Sequence, residues 1–256
     1  MNKLTGIPAL LLSMTLLCAC TPTALTVKAP TQQPATLPPM VESLQLLTSP
    51  FSEEGQTPNY KIMAQIPYLN NPSDARIQAF NTRLKTVSDD AIAAFKKDLA
   101  QEPAAPISAG SSFDLRYDLI GQRGGIWSVK FSAEVYMDGA AHPYHYSIPL
   151  NYDLEDGREL ALDELFVPGS NYLELIADYC KTELSGRDIG FDGFSQGADP
   201  TNENYRNWNI SDDGILITFD EYQVAPYVAG PQTVVIPFDT LREVVNPQGV
   251  LAPFMK

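Results

Sequence analysis

The residue types that do chemistry are few in this chain, and their spacing narrows the choices. There are two histidines, His142 and His145. On an extended strand a separation of three points them to opposite faces, so a shared metal ion is not expected, and no cysteine lies near. A turn histidine followed by a solvated strand histidine is the expectation. Gly193-Phe194-Ser195-Gln196-Gly197 has the form Gly-x-Ser-x-Gly, but with only two histidines, both in one segment, a hydrolase triad is not expected. Adjacent carboxylates such as Asp163-Glu164 and Asp212-Asp213 belong to turns and caps rather than to a facing catalytic pair. Asp188, Asp192, Asp199, Asn202 and Glu203 share one loop, but their spacing does not fit a calcium-binding EF-hand, and a polar solvated loop is expected. No catalytic residue, metal or cofactor is therefore assigned, and the chain reads as a binding protein rather than an enzyme.

The segment Tyr222 to Pro231 offers a different chemistry. Two tyrosines, two prolines and Gly230 lie between strands with little charge. Proline lowers the entropy lost on association, and tyrosine supplies broad amphipathic contact area. The expectation is a rigid loop that enters a partner's cleft, against the plainer alternative that its tyrosines pack inward.

Elements must exist to hold that loop. The apolar positions Ile77, Phe80, Leu84, Val87, Ala91, Phe95 and Leu99 recur every three or four residues and predict a helix over 73–100. Tyr60 to Ile66 predicts a strand. Period-two alternation follows over 113–119, 127–135 and 144–154, with Asp114, Arg116, Lys130, Glu134 and His145 on the polar side. Pro149 marks an edge strand and Asp156-Gly157 a hairpin turn. A helix over 170–185 with Gly186 at its C-cap, a loop over 186–206, a hairpin at Asp213-Gly214 and a strand over 233–238 complete the pattern. The expected class is α+β, with antiparallel sheets and two or three helices packed on one face.

Cysteine usage and the first forty residues point to an envelope location. Lys3, then an apolar run ending in Leu17-Cys18-Ala19-Cys20, resembles a bacterial lipobox. Residues 1–19 are expected to leave as a lipoprotein signal peptide, with Cys20 diacylated and anchoring the chain to a membrane. Residue 21 is threonine, which by sorting resemblance favours the outer membrane, facing the periplasm, in a Gram-negative host. Residues 20–40 are a proline- and threonine-rich tether. Cys180 is left as a lone thiol on an apolar helical face, where it behaves as a small hydrophobe.

Several ordered blocks resemble a known family. They are Asp138-Gly139-Ala140-Ala141-His142-Pro143, Asn151-Tyr152-Asp153-Leu154, Asp156-Gly157-Arg158-Glu159-Leu160, Leu162-Asp163-Glu164-Leu165-Phe166, Phe219 to Gly230 and Val234-Val235-Ile236-Pro237-Phe238. Together they are similar to the extracytoplasmic domain of the RsiV/PdaC type, with residues 41–136 similar to its smaller N-terminal part and 137–256 to its C-terminal part. In the RsiV branch this wall-facing domain binds lysozyme. The resemblance implies an envelope binding protein that recognises lysozyme, another wall hydrolase or a peptidoglycan-associated partner, through Tyr222, Val224, Pro226, Tyr227, Gly230 and His142. A peptidoglycan-acting enzyme or accessory factor is the alternative. The sigma-binding segment of the RsiV branch and the metal motifs of the deacetylase branch are expected to be absent.

Charge agrees with this direction. The chain carries 31 acidic and 17 basic side chains, net −14, with pI near 4.4. That excludes a phosphate-neutralising nucleic-acid surface. Residues 137–256 hold 20 of the acids and 6 of the bases. Such a segment would steer a cationic protein partner.

Overall fold

Alternation in the central strands dictates a sheet with one dry face, and the long apolar stripe supplies the helix that covers it. The computed structural model describes residues 44–101 and 109–255. The expected signal peptide, Cys20 and the expected tether lie outside the described residues.

Six strands form the larger sheet in chain order: β1 (Leu46–Gln56), β2 (Asn59–Leu69), β3 (Ser111–Arg123), β4 (Ile126–Tyr136), β5 (Tyr144–Asp153) and β6 (Arg158–Glu159). All neighbours are antiparallel except β2 and β3, which run parallel because helix α1 (Ala75–Leu99) carries the chain across between them. The sheet takes strands from both sides of position 137: β4 pairs with β5 from Ile126↔Asp153 to Val135↔Tyr144.

The helix forms where its stripe predicts. Asp74 caps it by accepting from the Arg76 amide at 2.8 Å, with the Arg76 guanidinium also on the carboxylate. These contacts hold the Asp74 carboxyl down at about 2. All seven stripe residues are buried. Phe80 stacks on Tyr152 at 4.7 Å and Phe95 on Phe113 at 5.4 Å between ring centroids. Each such side chain contributes about 1.5–3 kcal/mol through burial. Asn81 fastens the helix to β2, accepting from the Leu69 amide at 2.7 Å and donating to the Leu69 carbonyl at 3.0 Å.

The smaller sheet is antiparallel, in the order β7 (Trp208–Ile210), β8 (Gly214–Phe219), β9 (Gln232–Pro237). Helices α2 (Tyr172–Ser185) and α3 (Phe238–Leu241) complete a second core that includes Phe166, Ile176, Leu184, Ile217, Phe219 and Ile236. Cys180 is buried there, and burial pushes its thiol up to about 12. It is the inert hydrophobe its helical spacing suggests. Gly186 is the C-cap of α2, in ordinary right-handed conformation.

One expectation needs correction, and one strand is additional. Residues 186–206 are not a solvated loop. They wind through short 3-10 turns at Phe191–Gly193 and Ser195–Ala198 and bury Phe191, Ala198 and Tyr205. The Tyr205 hydroxyl donates to the Ala198 carbonyl at 2.8 Å. β1 is an additional edge strand, because pairing with β2 imposes extension on a stretch without alternation. No helix among the described residues is long and apolar enough to cross a membrane.

Candidate functional site

Period two places Asp114, Arg116, Lys130, Ser132, Glu134 and His145 on the face of the large sheet away from α1. Register aligns them in rows: Asp114 lies opposite Glu134, and Glu134 opposite His145. The chain between β8 and β9 folds over part of this face. Between floor and roof lies an open cleft of about 900 Å³, bordered also by Thr218 and by Tyr227 to Pro231.

The roof is fixed at its base by two carboxylates. β6 pairs only with Tyr152 and Asp153 of β5, so the rest of that edge has no strand beside it. The Ser147 amide donates to Asp220 Oδ1 and the His145 amide to Glu221 Oε2, both at 3.1 Å. The next outward position is Pro149, which has no N–H, so its predicted edge position holds. Asp220 Oδ2 also accepts from Asn207 Nδ2 at 2.8 Å. Burial raises the Asp220 pKa, against the opposing effect of those donors.

His145 is not the solvated strand residue expected from spacing. Its Nδ1 lies 2.7 Å from Glu221 Oε1 and its Nε2 lies 3.0 Å from Glu134 Oε2. A neutral imidazole has one N–H, so carboxylates at both nitrogens select the imidazolium. Partial burial alone would lower its pKa. The hydrogen bonds to Glu221 and Glu134 outweigh that, and the pKa is raised. The ring thus ties the sheet floor, through Glu134, to the root of the roof, through Glu221. Both ring nitrogens are spent on these bonds. Among the described residues no group of three or more His, Cys, Asp or Glu is placed to hold a metal ion.

The rim brings together three of the six residues singled out from sequence. His142 stacks on Tyr227 at 3.9 Å, and Tyr222 stacks on Tyr227 at 5.8 Å. The Tyr227 hydroxyl donates to the Pro143 carbonyl at 3.0 Å, locking the loop to the turn that carries His142. Pro226 and Gly230 shape the bend: the Ala229 amide donates to the Pro226 carbonyl and the Gly230 amide to the Tyr227 carbonyl, both at 2.9 Å. Gly230 has φ 65°, a left-handed value that favours glycine. Tyr222 is also left-handed, at φ 64°, and is half exposed. Val228 stands at the tip, 90% exposed. Val224 is different: it is fully buried and cannot touch a partner, so its place is as an anchor of the loop. The tyrosines neither sink wholly into the core nor stand free. They brace one another.

A strap supports the loop from behind. Gln223 Nε2 donates to the Gly197 carbonyl at 3.0 Å and to the Asn204 carbonyl at 2.9 Å. A Cβ on Gly197 would lie 1.7 Å from the Gln223 carbonyl oxygen, so this approach requires glycine. Sequence reasoning missed Glu134, His145, Asp220 and Glu221 as a group. The one available sign was the polar side of the strand alternation, which reads as ordinary solvent exposure until something is known to cover it.

Comparison with known proteins matches this part of the chain. Residues 163–239, which include α2, the small sheet and the roof loop, match the family described as a protein of unknown function, DUF3298. Over 198 residues the chain is 24% identical to the peptidoglycan-N-acetylmuramic acid deacetylase PdaC of Bacillus subtilis, covering 76% of this chain. Over 95 residues, 36% of this chain, it is 34% identical to an esterase of Mycobacterium tuberculosis. It spans about 40% of the length of each of these two curated relatives. A DUF3298-family crystal structure from Bacteroides fragilis superposes with a TM-score of 0.60 at 16% identity, covering 84% of this chain and 97% of that one. One from Pseudomonas aeruginosa gives 0.52 at 18%, covering 80% and 94%. At these identities the two structures establish a shared fold. The match of residues 163–239 to the DUF3298 model and the similarity to PdaC together support a domain of the PdaC/RsiV type.

Proposed function

We propose that this is a cell-envelope binding protein, held to a membrane by acyl chains on Cys20, that recognises a wall-associated protein such as lysozyme or another wall hydrolase. The observation that carries this reading is the His142–Tyr227–Tyr222 stack, which holds the exposed Val228 at the tip of a loop braced from three sides. A loop already rigid before contact loses little entropy on association. The acidic excess over residues 137–256 favours a cationic partner and speeds its approach.

The test is calorimetric titration with lysozyme at low and moderate salt. Saturable heat is expected, weakened at least tenfold by Val228→Asp at the tip while the melting temperature is unchanged. No heat at tens of micromolar sinks the reading. The anchor has its own test: Cys20→Ser moves the protein from the membrane fraction to the soluble one.

A second reading is an enzyme acting on peptidoglycan. It is favoured by the Glu134–His145–Glu221 constellation in an open cleft and by the deacetylase and esterase names of the two relatives. Turnover of muropeptides that is abolished by Glu134→Gln would establish it over pure binding.

A further inference from the structure

The floor of the cleft differs in chemistry from the loop tip. Asp114 and Glu134 are directly opposed across β3 and β4, and like charges so placed repel. The chain tolerates the pair by interleaving cations. Arg116 Nε donates to Asp114 Oδ1 at 2.7 Å, and His145 meets Glu134. Lys130 lines the cleft and adds an ammonium, directly opposite Asp118 in the register of β3 and β4. With His145 protonated, the carboxylates of Asp114, Glu134 and Glu221 balance the cations of Arg116, Lys130 and His145. The charges lining the cleft itself thus balance, although the segment around it is strongly acidic.

Much of its hydrogen-bonding capacity remains open to solvent. The Arg116 side chain is 71% exposed and that of Glu134 54%. Arg116 presents a planar fork of donors, Glu134 a carboxylate with lone pairs to spare, and Ser132 a hydroxyl between them. Thr218, on β8 at the edge of the cleft, is 3% exposed, and its hydroxyl oxygen is buried without a hydrogen-bond partner among the described residues. A buried hydroxyl left unpaired is costly, and a ligand group entering here would relieve it. Across from this polar floor stand Val228, Ala229 and Pro231, an apolar wall.

A polar floor of alternating donors and acceptors facing an apolar wall matches one ligand chemistry. A pyranose ring carries hydroxyls along its edge and C–H groups on its face. An opening of about 900 Å³ is wide enough for more than one such ring. We infer that the cleft between the outer face of β3–β5 and the β8–β9 loop binds a segment of neutral, hydroxyl-rich glycan. The glycan lies with its polar edge on Arg116, Ser132 and Glu134 and its apolar face toward Val228 and Pro231. This site shares Val228 with the protein contact made by the loop tip, but its polar floor at Arg116, Ser132 and Glu134 is its own, so either can fail without the other.

The experiment is an amide-resolved NMR titration of the full chain with chitotetraose, a neutral probe bearing hydroxyl and amide groups. Alanyl-alanine serves as a zwitterionic control. Saturable shifts are expected at residues 114–116, 130–134 and 228–231, with little response to the dipeptide. Arg116→Ala is exposed enough to leave the fold intact and should weaken the sugar about threefold to tenfold, the loss of one or two hydrogen bonds. Thr218→Val separates binding from structure. A binding role lowers sugar affinity even as the protein becomes no less stable, whereas an effect on the melting temperature alone counts against it. The proposal is overturned by no shifts at millimolar sugar, by shifts confined to other surfaces, or by the dipeptide binding in place of the sugar. Lysozyme heat that persists while the sugar fails would leave the loop reading standing and remove this one.

Discussion

Two stretches of the same sheet face have opposite fates. At one end, β7 lies across the polar side of β4 and β5 and closes it. Ser128, Asn151 and Asn209 are all within 4% of full burial there, and their polar groups are joined. Ser128 Oγ donates to Asn151 Oδ1 at 2.7 Å and accepts from Asn209 Nδ2 at 2.9 Å and from the Ile210 amide at 3.0 Å. Asn151 Nδ2 donates to the Trp208 carbonyl at 2.8 Å. At the other end, the roof loop stands off and leaves Arg116, Ser132 and Glu134 in an open cleft. The closed end uses neutral, short side chains, which are cheaper to desolvate. The open end uses charged ones, which keep contact with water. Polar residues under a cover are therefore of two kinds, and charge together with residual exposure tells them apart.

The largest expected effect tests the closed end. Asn151→Ala strips a partner from Ser128, from the Ile210 amide and from the Trp208 carbonyl at once, in a dry interior. About 2–4 kcal/mol of stability should be lost in urea denaturation. A cost below about 1 kcal/mol would mean that β7 is held by apolar packing alone and would erase the contrast.

A smaller effect is expected from the His145 bridge. Its pKa is raised in the folded chain, so its contribution is fully present below the ordinary value of 6.5 and disappears as pH rises through the higher folded value. The gap in stability between the native chain and His145→Gln should be widest at mildly acid pH and close toward alkaline pH. With the ring about one-third exposed, solvent screening limits the gap to less than about 1 kcal/mol. A gap that widens with pH would show that the ring is held neutral. Smallest of all, Thr218→Val removes an unpaired buried hydroxyl at the margin of the cleft, and stability should hold or rise by a few tenths of a kcal/mol. A loss comparable to that of Asn151→Ala would place Thr218 with the closed network.

The elements carrying this face were legible because each has a strong period. The stripe from Ile77 to Leu99 and the alternation through β3, β4 and β5 have few competing readings. β1 was not legible: Leu46 to Gln56 combines Pro50, a glycine and scattered polar residues, and only its partner β2 makes it a strand. The strap over 186–206 was hidden by its composition, since Gly, Asp and Asn usually mark solvent, whereas Tyr205 and Phe191 turn it inward. Of the site, the loop from Tyr222 to Gly230 stood out by residue type. The His145 bridge did not, because Glu134 and Glu221 lie 11 and 76 residues away in the chain. Spacing along one strand says which side His145 faces and nothing about which distant carboxylates arrive there.

The two carboxylates on the open side of β5 also bear on how the molecule behaves in a crowd. A bare strand edge is a template on which another polypeptide adds itself, the first step of ordered aggregation. Here the amides of His145 and Ser147 are already taken by Glu221 and Asp220, and Pro149 has none to give. A stray strand arriving at that border meets negative charge in place of a ladder of free donors. Recruitment of misfolded neighbours should then begin at the opposite border, along β1, where Pro50, Glu53 and Glu54 discourage addition without blocking it.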